Sequence, residues 1–120
     1  MLLDTNIIIY ATQPEYPQLL DLIEDPTSAV SLISFVEALG FHRLTGAERS
    51  RLERFFAAME VLQVTDLVAR EAVRLRQQQK MGLGDSIIAA TALVHGRTLV
   101  TRNEADFRWI AGLTLRNPLT

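Results

Sequence analysis

A chain of 120 residues with 48% apolar and 22% charged side chains can bury a sizeable core, and residues 1–120 are read as a single globular domain. The absence of cysteine excludes a disulfide framework and any thiolate metal site, and the two histidines, His42 and His95, have no ligand-type spacing. The net charge of −2 conceals an asymmetry: residues 1–42 hold six acids and no Lys or Arg, while residues 43–120 hold twelve basic residues against eight acids.

Met1–Asp4 reads as a short buried strand. Its apolar run has no basic flank and contains Asp4, so it is not read as a signal peptide. No stretch reaches transmembrane length, so a cytoplasmic location without a membrane partner is expected. Asn6–Ala11 is predicted helical and is broken by Gln13-Pro14-Glu15-Tyr16-Pro17. Gln18–Glu24 is a second short helix with Leu19, Leu20, Leu22 and Ile23 inward, stopped by Asp25-Pro26. Ala29–Leu32 is a strand, and Ser34 is expected to open a helix reaching Arg43.

Thr45-Gly46-Ala47-Glu48 has capping-box spacing and starts a helix that runs to about Met59. Glu60–Val64 is a strand. Thr65-Asp66 caps a helix to about Lys80, with Leu67, Val68, Ala72 and Leu75 as its apolar face. Gly82-Leu83-Gly84 is a loop before Ser86–Val94, an almost wholly apolar helix stopped at Gly96 that belongs in the middle of the domain. Thr98–Thr101 is a strand, Asn103–Trp109 a helical turn and Leu113–Leu115 a last strand. Strands that alternate with helices and are apolar throughout predict an α/β fold. Its mainly parallel central sheet of four to five strands lies between two helical layers.

In such sheets ligands bind outside the carboxyl ends of the strands. Asp4, Glu37 and Asp106 follow strands, and Asp85 opens the buried helix. Clustered carboxylates without a fixed cationic partner repel one another, and oxygen-rich sites of this kind suit Mg²⁺ or Mn²⁺. Each acid also has a structural explanation. Asp4 caps the first helix, Ser34-x-x-Glu37 is a capping box, Asp85 is an N-cap, and Asn103-x-x-Asp106 is close to a capping box. Capping and metal ligation are compatible. Trp109 is read as a packing residue, Phe55, Phe56 and Met59 as core or partner interface, and the two histidines as helix-end residues.

Four segments, in order, carry a resemblance to a known family: Leu3-Asp4-Thr5-Asn6, Ser34-Phe35-Val36-Glu37-Ala38-Leu39-Gly40, Asp85-Ser86-Ile87-Ile88-Ala89-Ala90-Thr91-Ala92 and Val100-Thr101-Arg102-Asn103-Glu104-Ala105-Asp106-Phe107. Together they resemble the PIN-domain ribonucleases, in particular the VapC-type toxins of toxin–antitoxin pairs. The resemblance implies a PIN-like three-layer α/β/α fold and Mg²⁺- or Mn²⁺-dependent endoribonuclease activity. It also implies a homodimer and a small antitoxin protein that covers the active site.

By motif match Asp4, Glu37 and Asp85 are the catalytic, metal-binding acids. The fourth acid of the family falls at the position of Asn103 or of Asp106, and Asp106 is taken here. Thr5, Asn6, Thr101 and Asn103 are expected to orient the carboxylates, and Arg102 to bind substrate phosphate. Exposed apolar residues on the Leu52–Met59 or the Gln18–Ile23 helix are the candidate dimer surfaces. The alternative function is a catalytically inactive PIN-like scaffold that binds a protein partner. A phospho-aspartate receiver is disfavoured, because no acid pair follows the first strand and the only lysine is Lys80.

Overall fold

The computed structural model describes residues 1–119. Five strands form one sheet: β1 (Leu2–Leu3), β2 (Ala29–Ser31), β3 (Glu60–Leu62), β4 (Leu99–Val100) and β5 (Leu115–Arg116). The helices are α1 (Thr5–Ala11), α2 (Leu20–Glu24, entered through a 3₁₀ turn at Pro17–Leu19), α3 (Leu32–Leu39), α4 (Gly46–Ala58), α5 (Asp66–Gln78), α6 (Leu83–His95) and α7 (Glu104–Phe107). The order of strands and helices is the predicted one. Strand order across the sheet is β3-β2-β1-β4-β5, and every pairing is parallel.

The three central strands, of two or three residues each, hold because both of their faces are buried. Leu2, Ala29 and Leu99 point to one side, where α5 and α6 supply Val68, Leu75, Ile88 and Ala89. Leu3, Val30 and Val100 point to the other, against Ile7, Ile8, Leu19, Leu52 and Phe55. All six strand residues are fully inaccessible. This two-residue alternation is the side-chain period of a strand, and it produces the three-layer α/β/α arrangement.

α6 is the buried helix foreseen in the sequence. Its hydroxyls turn back onto its own backbone, Ser86 Oγ donating to the Leu83 carbonyl at 2.7 Å and Thr91 Oγ1 to that of Ile87 at 2.6 Å. Gly96 ends it in the left-handed conformation (φ 63°), which glycine adopts without a Cβ penalty. The Thr45/Glu48 capping box forms as expected. No helix among the described residues is long and apolar enough to cross a membrane.

Several local expectations fail. α3 starts two residues early, because Ser31 caps it by accepting from Ile33 N–H; Ser34 is therefore inside the helix and caps nothing. α6 starts at Leu83 with Gly82 as its N-cap, so Gly82–Gly84 is not a loop and Asp85 lies in the first turn. The last strand is Leu115–Arg116, two residues further on. Leu20 and Leu67 face outward, 50% and 64% exposed, because the chain enters each helix in a register that puts Leu19 and Val68 inward. On α4, one of the candidate dimer surfaces, Leu52, Phe55 and Phe56 are core residues.

The two leucines of α5 provide a test. Leu75→Ala is expected to lower unfolding free energy by about 2–5 kcal/mol, as for a buried leucine. Leu67→Ala should change it by less than about 1 kcal/mol, both read from urea denaturation. Equal losses would contradict this helix register.

Candidate functional site: a carboxylate cleft at the sheet switch point

From β1 the chain steps outward to β2 and β3, then returns to the far side of β1 to form β4 and β5. The crevice beyond the carboxyl ends of β1 and β4 is therefore the switch point of the sheet. Asp4 follows β1 directly, and Thr101 follows β4 directly. A cleft of about 440 Å³ opens there, lined by Asp4, Thr5, Asn6, Ile9, Glu37, Asp85, Ile88, Asn103, Asp106 and Phe107. Among the described residues, no Lys, Arg or His lines it.

Asp4 is 6% exposed. Its Oδ1 accepts the Ile7 N–H at 2.9 Å, so it caps α1 while facing the cleft. Burial pushes its carboxyl above the usual carboxylate range and the charge of Glu37 adds to this, opposed by hydrogen bonds from Thr101 and from Ile7 N–H. Asp85 is also raised, first by desolvation and then by the charges of Asp106, Glu37 and Asp4. Three neighbouring acids thus act on one carboxyl, the signature of a shared like-charge site.

Glu37 projects from α3 and takes a proton donor from another element: Thr5 Oγ1 donates to Glu37 Oε1 at 2.6 Å. The Thr5 oxygen also lies 2.9 Å from the Oγ of Ser34, which is fully buried. A hydroxyl has one proton to give, so Thr5 spends its own on Glu37 and receives that of Ser34. Sequence spacing misassigned this serine to a cap. The detectable signal was that i and i+3 share a helix face.

The cleft thus brings together Asp4, Glu37, Asp85, Asp106, Thr5, Asn6 and Asn103. Thr101 reaches it through Asp4. Asn103 stands at the N-cap of α7 without a side-chain capping bond, so the expected capping box there does not form. Arg102 is outside the lining; its guanidinium lies 5.5 Å from the Tyr10 ring centre and donates to the Tyr10 hydroxyl at 3.4 Å. Ile9 also borders a second, largely apolar cleft of about 210 Å³ between α1, α3 and α4, where Phe41, Leu44 and Leu52 contribute.

Among the described residues no three His, Cys, Asp or Glu side chains stand in position to ligate one ion. The donor set nevertheless fits a hard divalent cation by its chemistry. It consists of carboxylates, hydroxyls and amides only, with no cation of the protein's own in the lining. Mg²⁺ keeps several waters and needs only one or two direct carboxylates.

A family model described as the PIN domain matches residues 1–113. Ribonuclease VapC10 of Mycobacterium tuberculosis is 36% identical over 89 residues, covering 70% of this chain and 65% of that protein. Ribonuclease VapC2 of Rickettsia felis is 30% identical, covering 97% of this chain and 96% of its own. Among solved structures, a toxin–antitoxin complex from Klebsiella pneumoniae matches with TM-score 0.78 and 33% identity, covering 98% of this chain and 96% of that one. VapBC2 from Rickettsia felis, bound to a DNA fragment from its promoter, matches with TM-score 0.81 and 27% identity, over 97% and 96%.

The raised carboxyls carry a stability consequence. An acid with a folded pKa above its ordinary value of 3.8 holds its proton more tightly when folded, so its contribution is fully present at low pH and is lost as pH rises through the folded pKa. Asp85→Asn removes one repelling charge and is expected to melt higher than the metal-free wild type at pH 7. The difference should close as the pH falls toward 4. Thermal melts across that window, with chelator present, check it; a lower melting temperature at pH 7 would refute the repulsion account.

Proposed function

The chain belongs to the PIN domain family, and from that premise we propose that it is a Mg²⁺- or Mn²⁺-dependent endoribonuclease, the toxin of a toxin–antitoxin pair. The observation that carries this reading is the convergence of Asp4, Glu37, Asp85 and Asp106 on one cleft free of basic residues. Relatives named as ribonucleases and matching toxin–antitoxin complexes support it.

In this reading Asp4, Asp85 and Asp106 would hold the cation, partly through its bound waters, with Glu37 at the edge of the same site. A bound divalent ion lowers the pKa of water and offsets charge growing on the phosphate. The protein's own part is positional. The Ile7 N–H fixes Asp4, and Thr101 steadies its ionised form. Glu37, oriented by Thr5, accepts a proton from the attacking water as its oxygen bonds phosphorus and the bond to the leaving ribose oxygen breaks. Asn6 and Asn103 supply amides at the rim.

Arg102 binds phosphate beside the cleft, held in place by Tyr10. The remaining surface favours a polyanion: apart from the four acids it carries twelve basic residues and ten acidic ones. The apolar cleft that shares Ile9 with the carboxylate site suits a segment of a small antitoxin. A homodimer completes the proposal, with sedimentation of the purified chain as its check.

Purified protein, free of antitoxin, is expected to cut total RNA at discrete positions with Mg²⁺ or Mn²⁺. Chelator should abolish the cuts, and Asp85→Asn should slow them more than about 100-fold, beyond the usual cost of altering a residue behind a ligand. No cuts together with no Mn²⁺ binding would replace the enzyme with a non-catalytic scaffold.

Arg102→Ala should weaken RNA binding at low salt and reduce the salt dependence by about one counterion. Binding isotherms at several salt concentrations measure this, and an unchanged slope would remove Arg102 from the RNA contact.

A further inference from the structure

Gly84 is the second residue of α6 and directly precedes Asp85. Glycine is a poor residue inside a helix, so its place here calls for a reason. A Cβ built on Gly84 would stand 2.8 Å from Cδ of Glu37 and 3.1 Å from Oε1, and would overlap Oε2. The Glu37 carboxylate thus lies against the bare backbone of the first turn of α6. Thr5 holds it on the other side, through the bond to that same Oε1. Two other glycines near helix starts behave differently: a Cβ at Gly46 or Gly82 would meet nothing within 4 Å.

The geometry points to Gly84 as a positioning residue for Glu37: the missing side chain is the space in which the carboxylate sits, within reach of Thr5 and next to Asp85. This inference rests on the nuclease reading for its effect on activity, but not for its effect on structure. The obstructed atoms belong to the end of a flexible side chain, so Gly84→Ala can be relieved by rotating Glu37 away. The fold survives, and the Thr5–Glu37 bond is lost.

Four measurements decide it. Gly84→Ala should melt no lower than wild type, since alanine favours the helix. A crystal structure of metal-free Gly84→Ala should show Glu37 withdrawn from Thr5. Mn²⁺ binding should weaken about tenfold, the usual scale for disturbing a ligand's support. RNA cleavage should fall about 100-fold, as for a group displaced by an ångström. Gly46→Ala should likewise melt no lower than wild type, but should leave the Thr5–Glu37 bond, Mn²⁺ binding and cleavage unchanged.

In a Glu37→Ala background there is no carboxylate to displace, so adding Gly84→Ala should have no further effect on Mn²⁺ binding or cleavage. The inference is overturned if Gly84→Ala unfolds, if its crystal structure keeps the 2.6 Å bond, or if its effect persists without Glu37. Should wild-type protein cut no RNA, the nuclease reading fails, while the crystal structures still decide the role of Gly84.

Discussion

Everything at this site depends on how Asp4 is tethered. Its N–H donates to the Val100 carbonyl at 3.1 Å, the last rung joining β1 to β4. Its Oδ1 accepts from Ile7 N–H and starts α1. One residue therefore ends the central strand, begins a helix and presents a carboxylate to the crevice. Neither bond is optional for the fold, since a strand of two residues and a helix of seven have little else to define their ends. The other three acids are brought to this fixed point by α3, α6 and α7.

The arrangement works against stability. Burial and like charge raise Asp4 and Asp85 together, so ionising the cleft opposes the compact state. The molecule tolerates this because the repulsion is confined to one rim, while two apolar layers enclose the sheet behind it. Thr5 contributes its hydroxyl to Glu37 and is itself backed by that of Ser34, and the N-terminal turn of α6 lies beside the same carboxylate. Neutral donors position the acids without neutralising them, which keeps the negative potential available for a cation.

Much of this was legible in the sequence. Continuous apolar runs such as Leu99–Val100 encode a buried parallel strand, and the four ordered acids encode a shared edge. The misreadings have one physical origin: spacing gives the period of a helix but not its phase. Ser31 and Ser34 both precede a helical pattern with a plausible cap, and only tertiary contact shows that Ser31 caps while Ser34 meets Thr5. In the same way Gly82 rather than Asp85 begins α6. Leu67 and Leu20 have the right composition for a core and the wrong azimuth. The space left by Gly84 could not be read at all, because it is defined by a side chain 47 positions away in the chain.

The capping bond of Asp4 has an evolutionary side. Asparagine caps a helix about as well as aspartate, so an exchange at this position would leave β1, α1 and the switch point in place while removing a charge the fold does not want. The change requires a single transition in the first base of the codon. If Asp4 serves the proposed nuclease chemistry, its loss would be nearly invisible to selection for folding, and a population of such chains would drift readily toward silent, well-folded descendants unless the activity were maintained by selection.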